Sequence, residues 1–131
     1  MAKESIFTRI IRGEIPSYKV YEDEDTFAFL DIHPKQPGHV LVIPKKEIDH
    51  IWDLPDEDYQ ALMATSKKVA QRIREIINPR RVAMQVEGTG VPHAHVHIFP
   101  FSTVEEFHAE ADMDRDPDHQ ALSEMAAKLA F

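Results

Sequence analysis

The chain has 131 residues, of which 43% are apolar and 29% are charged, and its formal net charge is −8. This length and composition are typical of a soluble globular protein with a hydrophobic core. The acidic charge argues against a nucleic-acid partner, because backbone binding needs a basic surface. Because the chain has no cysteine, it offers no disulfide, zinc–thiolate site or catalytic thiol.

No apolar run in the sequence approaches the 18 residues that a membrane-spanning helix needs, so we expect no membrane partner. The first five residues also lack the apolar segment of a signal peptide, and we therefore expect a cytoplasmic location. The sequence shows no internal repeat or linker. We predict one domain over residues 1–131, with a core over about 5–100 and a helical extension over 102–131.

The first predicted element is a short helix over residues 4–12. Its apolar residues fall on one stripe, and Gly13 and Pro16 favour its ending there. Two strands follow, over residues 18–22 and 26–31, and the acidic residues between them predict a short hairpin connection.

A loop with two prolines and a glycine covers residues 31–38, and a strand rich in β-branched residues follows over 39–44. A long helix is predicted from Pro55 to Asn78, because apolar residues recur there with helical spacing. Residues 81–87 form the next predicted strand.

The last 30 residues predict two helices. Thr103 and Glu106 fit a capping box at the start of a short helix. An acidic loop over 110–118 precedes a final helix that begins near Pro117 and carries apolar residues at helical spacing.

The segment 92–100, PHAHVHIFP, carries the main functional signal. A proline stands at each end, so we predict a strand between them. Because successive side chains on a strand alternate between two faces, His93, His95 and His97 should share one face. Three adjacent imidazoles are costly as core packing, since they repel when charged and need partners when neutral. The pattern therefore predicts a functional cluster.

Together these elements predict an α+β fold with an antiparallel five-stranded sheet, one long helix and short flanking helices. The long helix covers one sheet face, and the histidines line a cleft on the other. His39 starts a neighbouring predicted strand and is a fourth candidate.

The histidine pattern alone leaves two chemistries open. A neutral imidazole is a good nucleophile toward phosphorus, and the central His95 could attack while its neighbours handle charge. Alternatively, two of the histidines could ligate Zn²⁺ together with His39 or another group. All three could not bind one ion, because three histidines on one strand span about 13 Å.

The turn Gly88–Gly90 before the histidines supplies backbone N–H groups with little steric hindrance, which suits a phosphate. Thr89 supplies the side-chain hydroxyl of this turn.

The segment from His93 to Phe99 resembles the His-φ-His-φ-His-φ-φ signature of the histidine triad (HIT) superfamily, where φ is apolar. Residues 5–16 and 29–45 are similar to the corresponding blocks of its Hint branch. Three blocks in the right order make the resemblance specific, and it covers roughly residues 5–100.

The resemblance implies an α+β fold, a homodimer and a purine nucleotide, AMP or GMP, as ligand, without metal or cofactor. It implies hydrolysis or nucleotidyl transfer at the α-phosphate of nucleoside phosphoramidates or related nucleotides. By analogy His95 would form a nucleotidyl-histidine intermediate, His93 and His97 would orient it and handle protons, and His39 would be a further active-site histidine.

The resemblance also implies a nucleotide-binding set, in which Asp31 would accept a ribose hydroxyl. Its other members are Ile6, Phe7, Ile10, Phe29, Ile32, Leu41, Gly88 and Thr89. The glycine-rich loop before the histidines is shorter than in many Hint-branch members, which leaves the leaving group open. A non-catalytic nucleotide-binding dimer and a metal-dependent hydrolase remain the alternatives.

Overall fold

The computed structural model describes residues 4–131; residues 1–3, part of the segment in which no signal peptide is expected, lie outside it. The helices and strands are α1 (Ile6–Ile11), β1 (Lys19–Glu22), β2 (Thr26–Leu30), β3 (Val40–Pro44), α2 (Asp56–Ile76), β4 (Arg81–Gln85), β5 (Val96–Phe101), α3 (Val104–His108) and α4 (His119–Leu129). The predicted α+β class is confirmed.

The five strands form one antiparallel sheet in the order β1-β2-β3-β5-β4. The last two strands of the chain therefore enter the sheet in reverse order, and β5 lies between β3 and β4. This crossover sets His97 opposite Leu41 of β3 and Gln85 of β4. Strand β5, which carries His97, is thus an interior strand that pairs on both sides.

Two apolar clusters cover the two faces of the sheet. The larger lies under α2 and includes Val40, Val42, Leu62, Val69, Ile73, Val96 and Ile98. The smaller lies on the other face with α1 and comprises Phe7, Ile10, Phe27, Phe29, Leu41 and Ile43. The period-two alternation of β3 places its odd- and even-numbered residues in different clusters.

Helix α2 is stabilised at both ends as well as along its buried stripe. Three acidic residues in its first turn face the positive end of the helix dipole. At the other end Asn78 has a φ of 54°, a left-handed conformation that asparagine tolerates better than most residues. The helix therefore ends where Asn78-Pro79 was predicted to stop it.

The C-terminal segment packs against the same core as the sheet. Leu122, Ala126 and Leu129 of α4 belong to the larger cluster. Arg72 of α2 donates hydrogen bonds to the carbonyl of Leu129 and to those of its two neighbours, which otherwise lack helical partners. These contacts join the C-terminal segment to the core of the sheet, and one domain over residues 1–131 stays a prediction.

The predicted bounds of the histidine strand were wrong at both ends. Pairing with β3 starts only at Val96, because the Ala94 N–H bonds the carbonyl of Ile48 and His93 lies in a turn. The strand then continues through Pro100 to Phe101. Beyond Ile98 it pairs with β4 alone, and a proline is tolerated on such a half-paired segment.

Within residues 4–131, no helix has both the length and the hydropathy to cross a membrane.

Replacing Leu129 with alanine should lower the free energy of unfolding by about 2–5 kcal/mol, because its side chain is fully buried. Urea unfolding followed by circular dichroism and by the fluorescence of Trp52 should show one coincident transition for both variant and wild type. Met113→Ala is the control, since that side chain is exposed. A separate early transition would contradict the prediction of one domain.

Candidate functional site

The structure brings the four predicted histidines together on the sheet face opposite α2. The Nε2 atom of His39 lies 2.9 Å from Nδ1 of His97, and the rings of His97 and His95 are 5.1 Å apart. Phe7 of α1 contacts His93 and His95 edge-on, with ring centroids 5.8 and 5.1 Å away. The helix α1 thus packs directly against the histidines.

His93 is fully buried and uses both ring nitrogens. Its Nε2 lies 2.8 Å from the carbonyl oxygen of Pro44, which can only accept, so Nε2 carries the proton. Its Nδ1 then accepts a hydrogen bond of 2.7 Å from the hydroxyl of Ser5. Burial lowers the pKa of His93, in agreement with a neutral ring.

His95 has the opposite tautomer. Its Nδ1 lies 2.7 Å from the carbonyl oxygen of His93, so the proton is on Nδ1 and the Nε2 lone pair is free. Among residues 4–131, Nε2 has no hydrogen-bond partner, and no fully buried side-chain nitrogen or oxygen lacks one. The Nε2 atom therefore reaches solvent, although the residue as a whole is only 5% exposed.

His39 and His97 form a directed chain of hydrogen bonds. The backbone N–H of Lys35 donates to Nδ1 of His39, so His39 carries its proton on Nε2 and donates it to Nδ1 of His97. His97 consequently presents an Nε2–H. Burial lowers the pKa of His39 to about 3 and that of His97 to about 4, so both rings are neutral at pH 7.

Asp31, His39 and His97 form the one cluster among residues 4–131 whose ligand atoms, all within 4.8 Å of one another, could hold a metal ion. A metal would need the lone pair of His39 Nε2. The Lys35 N–H directed at Nδ1 places the proton on Nε2 instead. The hydrogen bonds of the cluster therefore favour a proton-carrying arrangement over metal ligation.

Asp31 ends its strand beside this chain of imidazoles. One carboxylate oxygen accepts from the backbone N–H of His33 at 2.8 Å, and the other lies 3.8 Å from Nε2 of His39. Burial raises the pKa of Asp31. The side chain retains enough exposure for its second oxygen to accept a further hydrogen bond.

The predicted apolar nucleotide contacts divide into two groups. Phe7, Ile10, Phe29 and Leu41 are buried in the smaller cluster and form the packing behind the histidines. Ile6 and Ile32 are 47% and 43% exposed and offer open apolar surface. Ile32 also lines a cavity of about 200 Å³ together with Arg115 and acidic residues of the C-terminal loop.

The glycine turn is exposed and forms no hydrogen bond to the histidines. Gly88 has a φ of +76°, which favours glycine, and the N–H of Thr89 donates to the carboxylate of Glu87. The hydrogen bonds from Thr89, and to a smaller extent His97 and His95, lower the pKa of Glu87. Glu87 is therefore an acidic neighbour of the site.

Sequence analysis missed the groups that set the tautomers. Two are backbone groups, the carbonyl of Pro44 and the N–H of Lys35, and side-chain chemistry gives no signal for them. Ser5 is the N-cap of α1, and its partner His93 lies 88 residues away. Glu47, which accepts from Ser5 and Thr8, lies outside every predicted element.

Residues 12–104 match the family model described as the HIT domain. Protein Hit of Bacillus subtilis (strain 168) is 37% identical over 97% of this chain and 94% of its own length. The adenosine 5′-monophosphoramidase HNT1 of Saccharomyces cerevisiae is 36% identical over 72% of this chain and 61% of its own.

Solved structures also resemble the chain. A Hit-like protein from Bartonella henselae, described as involved in cell-cycle regulation and crystallised with an unknown ligand, has a TM-score of 0.85 and 31% identity. The match covers 98% of this chain and 96% of that one. A zinc-bound histidine triad family protein from Mycobacterium smegmatis has a TM-score of 0.74 and 28% identity over 95% and 94% of the two chains.

Acidification should destabilise the fold through His39. The unfolded chain takes up a proton at this residue near pH 6.5, whereas the folded protein does so only near pH 3. Stability present above pH 6.5 is therefore lost as the pH falls from there toward 3. Between pH 7.5 and 5.5 this loss is about 1.4 kcal/mol, and His39→Gln should reduce the pH dependence of urea unfolding by that amount. His50→Gln, at an exposed position, should keep the wild-type dependence.

Proposed function

The chain belongs to the HIT family, and from that premise we propose that it is an enzyme that cleaves nucleoside phosphoramidates at the α-phosphate. The main observation behind this proposal is the geometry of His95. Its Nε2 lone pair is open to solvent, and its Nδ1–H is hydrogen-bonded to the His93 carbonyl. A neutral imidazole in this tautomer is a suitable nucleophile toward phosphorus. The name of the yeast relative, a 5′-monophosphoramidase, supports the same reaction.

In the first proposed step, the Nε2 lone pair of His95 forms a bond to phosphorus and the phosphorus–nitrogen bond to the amine breaks. The amine leaves with that electron pair and takes up a proton from solvent. The imidazole becomes a cationic nucleotidyl-histidine, and the His93 carbonyl accepts a stronger hydrogen bond from Nδ1–H as this charge develops. The fixed tautomer therefore stabilises the intermediate as well as the attack.

In the second step, water attacks phosphorus and releases a proton to solvent, the bond to His95 breaks, and the nucleotide is released with the ring neutral again. The His97 Nε2–H stands beside His95 and is the proposed hydrogen-bond donor to a phosphate oxygen. His39 donates a hydrogen bond to Nδ1 of His97, and this bond fixes the direction of the His97 Nε2–H. These are positioning and donor roles, which require neutral rings.

We propose a purine mononucleotide, AMP or GMP, as the bound moiety. Asp31 is the proposed ribose acceptor, since its carboxylate lies beside His39 and keeps one oxygen for a further hydrogen bond. The exposed apolar side chains Ile6 and Ile32 would contact the base, with Phe7 as packing behind them. Gly88 and Thr89 would approach the phosphate or leaving group from the exposed turn.

Replacing His95 with alanine should lower kcat for adenosine 5′-phosphoramidate by several orders of magnitude, because the nucleophile is removed. The dissociation constant for AMP should change little. Release of AMP by chromatography and binding by calorimetry provide the two measurements. His50→Ala, at an exposed position away from the site, is the matched control.

Two results of the same assays on the wild type would contradict the proposal. Turnover that EDTA abolishes and Zn²⁺ restores would favour a metal-dependent hydrolase. Tight AMP binding by the wild type, without turnover of adenosine or guanosine phosphoramidates, would favour a non-catalytic nucleotide-binding protein.

We also propose a homodimer that forms through β4. This strand is an edge of the sheet, and Met84 and Val86 on and beside it are 60% and 45% exposed. An edge strand with exposed apolar side chains is a ready pairing surface. A two-fold axis beside β4 would pair the strand with its own copy and cover the same residues on both chains.

Light scattering at micromolar concentration should report about twice the 15.1 kDa chain mass. Met84→Lys should shift this mass toward the monomer, because it places a charge in the proposed contact. Trp52→Lys removes an apolar side chain that is 80% exposed elsewhere and should leave the mass unchanged. A monomeric wild type would contradict the proposal.

A further inference from the structure

We propose that Ser5 is a positioning residue for the reaction: its hydroxyl fixes the ring of His93, and through the His93 carbonyl it fixes the tautomer of His95. The inference deepens the proposed function, since it rests on His95 as the nucleophile.

The role of His93 follows from its surroundings. Both ring nitrogens are occupied, by the Ser5 hydroxyl at 2.7 Å and the Pro44 carbonyl at 2.8 Å, and the side chain is 0% exposed. The ring therefore does not contact a substrate. His93 acts on the site through its backbone carbonyl, which accepts a hydrogen bond from Nδ1–H of His95.

Ser5 has one hydroxyl proton, and it is directed to Nδ1 of His93 at 2.7 Å, because the other acceptor in reach, Oγ1 of Thr8, is 3.4 Å away. As the N-cap of α1, its Oγ accepts a hydrogen bond from the backbone N–H of Thr8 at 3.1 Å. This bond uses an oxygen lone pair and leaves the O–H free to donate to Nδ1 of His93. The residue is itself only 5% exposed, so water does not readily replace it.

Glu47 removes the competing donor. Thr8 Oγ1 lies 3.5 Å from the same His93 nitrogen, but the Glu47 carboxylate accepts the Thr8 hydroxyl at 2.7 Å. The same carboxylate oxygen accepts the backbone N–H of Ser5 at 2.5 Å. Glu47 therefore holds Ser5 in place and leaves its hydroxyl as the donor to His93.

Loss of the Ser5 hydroxyl would leave a buried nitrogen without a partner. Moving the ring proton to Nδ1 would not remove this penalty, because Nε2 would then present a lone pair to the Pro44 carbonyl oxygen. Either outcome is unfavourable, so we expect the His93 ring and its backbone to shift. The carbonyl that orients His95 would move with them.

The test uses Ser5→Gly, because glycine is a tolerated N-cap residue but has no hydroxyl. On adenosine 5′-phosphoramidate, kcat should fall on the order of 10- to 100-fold, the effect of a small misplacement of a reacting group. The dissociation constant for AMP should stay within about twofold, since the proposed base and ribose contacts are elsewhere. Ser5→Thr keeps both hydroxyl and cap and should restore kcat.

Thr103→Gly is the matched control, because it removes the N-cap hydroxyl of α3 without touching the histidines. Its kcat should remain at the wild-type value.

The second readout is the imidazole tautomer, measured by nitrogen-15 NMR without substrate. The wild type should show the Nε2–H form of His93 and the Nδ1–H form of His95, and Ser5→Gly should show mixed forms of both. Ser5→Asp serves if the glycine variant does not fold, since aspartate caps the helix but has no proton to donate. It should shift His93 toward a proton on Nδ1.

Unchanged tautomers or unchanged kcat in a folded Ser5→Gly or Ser5→Asp variant would overturn the inference. Full activity of His95→Ala would instead count against the proposed function. In that case the tautomer measurement, which needs no turnover, would still decide whether Ser5 orients the two histidines.

Discussion

The site depends on one hydrogen bond, from Nδ1 of His95 to the carbonyl oxygen of His93. A neutral imidazole has one ring proton, so fixing it at one nitrogen leaves the lone pair at the other. A carbonyl oxygen can only accept, which makes the assignment unambiguous. In the same way, the Pro44 carbonyl holds the ring proton of His93 on Nε2, and the Lys35 N–H directed at Nδ1 leaves the ring proton of His39 on Nε2. Groups with a single hydrogen-bonding role therefore determine three of the rings, and His39 in turn determines His97.

Burial keeps this arrangement neutral. Several imidazoles in contact would repel one another if protonated, and their position between the sheet and α1 makes protonation costlier still. The pKa values of His39 and His97 are lowered chiefly by burial, and each is lowered further by a neighbouring histidine. Burial also lowers the pKa of His93, whose ring packs against Phe7. The hydrogen bonds of His39, His93 and His97 are therefore made by neutral rings.

The sequence predicted what depends on local patterns. Helical spacing identified α2, and period-two alternation placed Ala94, Val96 and Ile98 in the core away from the imidazoles. It could not predict where β5 starts, because the partners of Ala94 and Val96 lie on distant segments. The strand pattern and the resemblance both pointed to the four histidines, but their tautomers depend on tertiary contacts. The contact of Ser5 with His93 joins residues 88 positions apart and has no local signal.

The two edges of the sheet differ in a way that limits assembly. At β1 the carbonyl of Val20 is already bonded by the N–H of Phe131, whose ring stacks on Tyr21, and the register of the strand is irregular. Such features make an edge a poor template for another strand. The β4 edge carries no comparable cover by the C-terminal residues. If only the β4 edge is open to another strand, two copies that pair there leave no open edge for a third. Strand pairing at β4 would therefore give a dimer and not a fibre.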